Sequence, residues 1–161
     1  GVCGCEDQKV FVKAANFGEA SELQVFFITD TSETWNEPKS KTVSIDTNGQ
    51  YETLELFVGE DPEWKGTITG LRIDPMKNDA PFGIDEVCVG VTEDACLLQW
   101  TFDGAPDTEV VSPFFGWELL GIEALWTDGD TWGGQASPIE SMGGTKVDPR
   151  FRTFLEYECE P

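Results

Sequence analysis

The chain has no histidine, and only ten Lys and Arg stand against thirty-one Asp and Glu, giving a formal charge of −21 at pH 7 over 161 residues. Without an imidazole, the commonest general base is missing. So are the Ser-His and Cys-His nucleophile pairs and the most frequent transition-metal ligand. The shortage of cations excludes nucleic acid and anionic membrane surfaces as partners, because both demand a positive footprint. An acidic surface instead suits divalent cations, saline surroundings or plain colloidal solubility. No apolar run approaches the roughly 20 residues needed to cross a bilayer, so no membrane insertion is expected. No basic and apolar leader precedes residue 1, which fits a signal peptide already removed. Helices are missing too: no stretch repeats apolar residues with a 3.6-residue period.

What is present is a series of short apolar segments separated by glycine, proline and Asx turns, with 17 Gly and 9 Pro in all. Strands are predicted at 9–15, 23–29, 42–45, 51–58, 64–74, 84–89, 97–103 and 122–126, with a final apolar segment at 151–157. In the fourth of these, Leu54, Leu56 and Val58 fall on one side and Glu55 on the other. Asp46-Thr47-Asn48-Gly49 and Asp74-Pro75 are strong breaks. The stretch 127–144 reads as loop, with Asp128-Gly129-Asp130 as a turn, since it lacks the spaced acids and terminal Glu of an EF-hand. Many short strands with turns between them predict a single all-β domain over 1–161, a sandwich or barrel. Its length is enough for a substantial core.

Five cysteines, at 3, 5, 88, 96 and 159, cannot all pair with one another. Cys3 and Cys5 are too close to bond to each other comfortably. Cys159 is the natural terminal partner for one of them, and Cys88 with Cys96 closes the short connection between 89 and 95. One thiol is then left over, free or bonded to another chain. No zinc spacing occurs, so an oxidising, extracellular setting is expected.

Three runs stand out. Trp100-Thr101-Phe102-Asp103-Gly104 is followed by Gly116-Trp117, Ile84-Asp85-Glu86-Val87-Cys88-Val89 lies just upstream, and Trp64-Lys65-Gly66-Thr67-Ile68-Thr69-Gly70-Leu71-Arg72-Ile73-Asp74-Pro75 precedes both. Together they resemble the opening, closing and penultimate strands of jelly-roll carbohydrate-binding modules, the galactose-binding-like group that accompanies polysaccharide-degrading enzymes. The order departs from that family. There the Phe-Asp…Gly-Trp element comes first and the Ile-Asp-Glu-Val element last, whereas here they follow one another across a short acidic link. The resemblance therefore implies a jelly-roll β-sandwich that is circularly permuted, or one cut across two tandem repeats. In the second case 6–91 completes one module and 97–161 begins the next. Its sheets would then be completed by strand exchange with neighbouring chains, which builds a fibre.

In the modules it resembles, acids of the opening and closing strands hold a structural Ca²⁺. That implies Asp103 and Asp85, completed by Glu86 or backbone carbonyls, the hard oxygen set calcium requires. The plainer alternative makes Asp103 a turn residue and Asp85 an exposed strand acid. Sugar rings stack on flat aromatic faces beside hydroxyl-binding amides and carboxylates. Trp35, Trp126 and Trp132 lie in or next to polar segments, with Gln135 nearby, and are the ligand-binding candidates. Trp64, Trp100 and Trp117 sit in strand-like or Gly-Trp contexts and belong to the core. The Glu-x-Asp-x-Glu signature of jelly-roll glucanases is missing, so no catalysis is expected. The sum is a secreted, non-catalytic β-sandwich that recognises polysaccharide through loop aromatics and is stabilised by Ca²⁺. The alternative is a self-assembling subunit of an extracellular filament, partnered by copies of itself through strand exchange and disulfides.

Overall fold

The computed structural model describes residues 2–19, 22–75, 81–102, 116–120, 122–128, 131–136, 139–140, 146–147 and 150–155. Between 119 and 147 it describes the course of the backbone and the burial of Gly133 and Gly134. In chain order the strands are β1 (Val2–Cys3), β2 (Lys9–Asn16), β3 (Glu22–Thr29), β4 (Ser40–Ser44), β5 (Glu52–Leu56), β6 (Thr67–Asp74) and β7 (Pro81–Gly90). Then follow β8 (Cys96–Trp100), β9 (Glu118–Leu120), β10 (Ile122–Asp128), β11 (Thr131–Ala136), β12 (Ile139–Glu140), β13 (Lys146–Val147) and β14 (Arg150–Phe154). Two single 3₁₀ turns, Glu37–Lys39 and Val58–Glu60, are the only helical pieces among the described residues.

The protein is an all-β sandwich. The first sheet runs β4-β3-β6-β14-β9 with β1 beside β6, and the second runs β10-β11-β7-β2-β5 with β8 beside β7. Every pairing in them is antiparallel. Both halves of the chain feed both sheets: β14 pairs with β6 in the first, and β11 and β8 pair with β7 in the second. The segments that resemble closing and opening strands are direct neighbours, with Val87 opposite Trp100, Cys88 opposite Gln99 and Val89 opposite Leu98.

Alternation places the core. On β2, Val10, Val12 and Ala14 face inward, and on β3, Leu23, Val25 and Phe27 do so. On β7 the inward set is Phe82 and Ile84, then Val87 and Val89, so the parity flips between 84 and 87. A β-bulge causes the flip: Ala14 faces Ile84 and Lys13 faces Glu86, leaving Asp85 as the extra residue. Of the tryptophans expected inside, Trp64 and Trp117 are fully buried and Trp100 packs on the core rim. Trp64 meets Phe27 edge-on at 4.9 Å, and Trp117 meets Trp100 at 5.1 Å and Phe151 at 4.9 Å. Phe102 is also buried and holds a left-handed backbone, φ 55°, where the chain leaves β8. For a bulky side chain that conformation costs of order 1–3 kcal/mol, which burial of the ring offsets.

Two expectations need correcting. The 127–144 stretch is not all loop, because β10 continues to Asp128 and β11 occupies Thr131–Ala136. The Gly133-Gly134 pair that reads as a turn lies inside the sheet, opposite Gly83 and Phe82, and is buried. The first residues, which read as a polar, cysteine-bearing lead before the strand at 9–15, are also part of the fold. Val2 pairs with Ile68 and joins the core, and the buried Gln8 Oε1 accepts from Trp64 Nε1 at 2.7 Å and Cys5 N at 3.0 Å. This passage is tight. A Cβ on Gly59 would stand 2.3 Å from the Glu6 carbonyl oxygen, so Gly59 must be glycine.

Cys88 and Cys96 are disulfide-bonded across eight positions of sequence, and Cys3 is bonded as well. Cys5 is the free thiol among the described cysteines. Loop-closure entropy for so short a loop is about 2.5 kcal/mol. Converting Cys88 and Cys96 together to Ser should therefore cost about that much in urea unfolding, with the midpoint lowered. A midpoint that stays put would show that β7–β8 pairing holds this hairpin without the bond.

Candidate functional site

Of the residues singled out in the sequence, Trp35 lies on the outward side of the first sheet and Asp85 and Glu86 on that of the second. On the first sheet, the bulge that separates Ile28–Gly70 from Thr29–Ile68 directs Gly70, Arg72 and Asp74 outward from β6. They meet Ile28, Phe26 and Gln24 on β3, while Phe154 and Arg152 stand opposite Gly70 and Arg72 on β14. Gly70 leaves a gap between Ile28 and Phe154, and Trp35 fills it. A Cβ on Gly70 would lie 3.1 Å from Trp35 Cη2. The half-buried Trp35 and the 52% exposed Phe154 have ring centres 6.3 Å apart and planes tilted by 59°. The two rings thus form a notch rather than one flat platform.

Polar groups continue this notch across the sheet. Arg72 lies 4.5 Å from the Phe26 ring centre and donates to both carboxylate oxygens of Asp74, at 2.7 and 2.5 Å. Both residues are buried, so a bidentate, desolvated pair of this kind fixes geometry more than it adds stability. Next to it Arg152 donates to Glu118 at 2.8 Å and lies 5.4 Å from the Phe154 ring centre. Gln24 Nε2 donates to Glu37 and Ser40. The segment carrying Trp35 is anchored from beneath by Lys39, whose Nζ donates to the Ser32 carbonyl and hydroxyl, both at 2.8 Å. Burial lowers the pKa of Lys39, and the nearby Glu63 carboxylate partly opposes that shift.

The second sheet presents the acids. The bulge brings Asp85 and Glu86 together opposite one lysine. Lys13 Nζ forms an ion pair with Asp85, and Gln99 Nε2 donates to Glu86 at 2.7 Å. Two of the three residues expected to hold Ca²⁺ are therefore engaged by protein side chains, one of them by an ammonium. Asp103 lies outside the described residues. Among those described, no three acids or cysteines gather closely enough to hold a metal ion. An ion at Asp85 would have to displace Lys13.

Trp132 and Gln135 belong to β11, and Trp126 to β10. The register pairs Trp132 with Ile84 and Trp126 with Gly133. The side chains of Trp126, Trp132 and Gln135 lie outside the described residues. Sequence reading passed over Phe154, Arg72, Asp74 and Arg152. Their signal was the outward alternation of β6 and β14, legible only once both bulge and register are known.

Melting in calcium and in EGTA checks the metal. With Lys13 on Asp85, the melting temperature is expected to move by less than about 2 °C between the two, under ~1 kcal/mol of linkage. A larger fall in EGTA would show that other residues complete a calcium site. Compared with protein-family models, curated proteins and solved structures, the chain matches none.

Proposed function

We propose that the protein is a non-catalytic, exported glycan-binding β-sandwich of the jelly-roll type, and that the outward face of its first sheet is the binding surface. The observation that carries this is the Trp35–Phe154 notch, flanked by the accessible Arg152–Glu118 pair. A pyranose presents an apolar C–H face and a rim of hydroxyls. An aromatic surface bordered by fixed donors and acceptors complements both. Non-catalysis is supported by the partners of four acids on these faces: Asp74 with Arg72, Glu118 with Arg152, Asp85 with Lys13 and Glu86 with Gln99. Export is supported by the bonded Cys3 and the Cys88–Cys96 disulfide.

Affinity electrophoresis in a panel of neutral polysaccharides tests the surface. The wild-type chain should be retarded in at least one gel, and Trp35→Ala or Phe154→Ala should weaken retardation about tenfold or more, near 1.4 kcal/mol, while still melting cooperatively. Absence of retardation in every glycan, or retardation indifferent to both substitutions, counts against it.

Cys5 favours a second reading, a subunit that assembles with copies of itself. It stays exposed and free in a chain whose Cys3, Cys88 and Cys96 are bonded. That reading expects a covalent dimer or larger species on non-reducing gels and in size exclusion, lost on reduction and in Cys5→Ser. A monomer under oxidising conditions would remove it.

A further inference from the structure

The first residues carry a thiol and a disulfide side by side. Cys3 is bonded and Cys5 is free, with only Gly4 between them, and both cysteines are exposed. Cys5 Sγ lies 3.7 Å from the Cys3 carbonyl oxygen. The backbone beneath them is fixed: Cys3 pairs with Thr67, Gly4 N–H donates to the Gly66 carbonyl at 2.9 Å, and Cys5 N–H donates to Gln8 Oε1. A Cβ on Gly4 would stand 2.8 Å from the Trp64 carbonyl oxygen, so Gly4 packs tightly and the two cysteines face the other way. Gly4 and Cys5 also border a cleft of about 740 Å³ beside Gly59, Glu60 and Pro62.

A thiolate beside a disulfide is set for exchange. Within one chain that step would join Cys3 to Cys5 across a single residue, a strained ring. The other described disulfide is shielded, because Cys88 is 1% exposed. The accessible target is therefore the Cys3 bond of a second copy. Cys-Gly-Cys reads the same in both directions, so two such segments laid antiparallel about Gly4 set Cys3 of each opposite Cys5 of the other. Directly opposite residues stand about 4.5–5.5 Å apart at Cα, inside the span of a disulfide. We propose that Cys3-Gly4-Cys5 is a self-complementary coupling site for a second copy of this chain, closing a two-fold dimer through two Cys3–Cys5 bonds. The site rests on the self-assembling reading of Cys5 and gives it a closed pair in place of an open filament.

The coupling needs no oxidant. Cys5 of one copy, as a thiolate, attacks the Cys3 sulfur of the other. The new S–S bond forms as the old one breaks, and the sulfur formerly bonded to Cys3 leaves as a thiolate and takes up the proton Cys5 gave up. The reciprocal step follows within the pair at high effective concentration. Two intrachain disulfides and two thiols thus become two interchain disulfides and two thiols. By count of the five cysteines, Cys159, which lies outside the described residues, is left to be the leaving thiol.

Incubation of the whole chain at millimolar concentration, without air or metal ions and in high salt to screen the −21 charge of each copy, tests this. Non-reducing gels should show a dimer and no longer species, while the thiols per chain stay constant. In the dimer, two copies of the peptide 1–9 should be joined Cys3 to Cys5, and an alkylating label should move from Cys5 to Cys159. Cys5→Ser, or alkylation of Cys5 beforehand, should abolish the dimer, and Cys88→Ser with Cys96→Ser should leave it unchanged. A dimer that forms only with an oxidant, loses thiols and joins Cys5 to Cys5 overturns the exchange site but keeps the self-assembling reading. A ladder of longer species overturns the closed pair in the same way. Absence of any covalent species, with or without oxidant, overturns both.

Discussion

Strand β7 has two edges and three partners, and the rest of the sandwich is arranged around that fact. β2 runs along one edge from Gly90 to Phe82. The other edge is divided, with β11 on its first half at 81–84 and β8 on its second at 87–90. Each buried N–H and C=O of a central strand needs a partner, and no single strand of this chain covers that second edge. The β7–β8 turn has only to reverse direction, and the disulfide from Cys88 to Cys96 ties it. β11 must arrive from far along the chain. Where the two meet, opposite Lys13, the strand bulges at Asp85. That single extra residue turns Val87 and Val89 inward after Phe82 and Ile84, and it sets two acids on the outward side against one lysine. The divided edge, the parity flip and the acidic outward face thus share one cause.

Much of this was legible in the residues. The strands at 9–16, 22–29, 52–56 and 67–74 follow from alternating apolar, often β-branched, side chains between Asx, glycine and proline breaks. Gly49 holds φ 69° in the turn anticipated there. The acids at 85 and 86, set between apolar pairs of opposite parity, are themselves the mark of a bulge. What stayed hidden depends on contacts distant in sequence. Gly133-Gly134 has the composition of a turn but lies buried inside the sheet opposite Gly83 and Phe82. Trp35 looks like any loop tryptophan until Gly70, thirty-five residues on, is seen to leave room for it. The separation of Trp35 from Asp85 onto opposite faces follows from register, which no local pattern encodes.

The two outward faces differ in electrostatic design. On the first, positive and negative groups alternate and neutralise one another: Arg72 with Asp74, Arg152 with Glu118. Aromatic rings lie under or beside both guanidinium groups. Such a surface carries little net field and presents hydrogen-bonding groups already fixed in direction, which suits an uncharged, hydroxyl-rich ligand. On the second face the acids outnumber their lysine, so the local field adds to that of the chain as a whole. At −21 the chain repels polyanions before any contact forms. Affinity for a neutral glycan at the first face should be nearly indifferent to salt.

The same pairing pattern bears on self-assembly. A chain cut across two repeats would offer β6 and β7 open edges and wait for a neighbour to fill them. Here β14 lies along β6, and β11 with β8 along β7, all from one chain. The edges left on the outside at one side of the sandwich are β4 and β5. Both carry the charged residues that discourage edge-to-edge growth: Lys41 is paired with Asp61 at 3.5 Å, and Glu55 with Lys9 at 3.0 Å. Strand exchange through β4 or β5 would have to overcome these charges. On this side of the sandwich the filament alternative therefore leans less on the sheet edges than on the exposed thiol of Cys5.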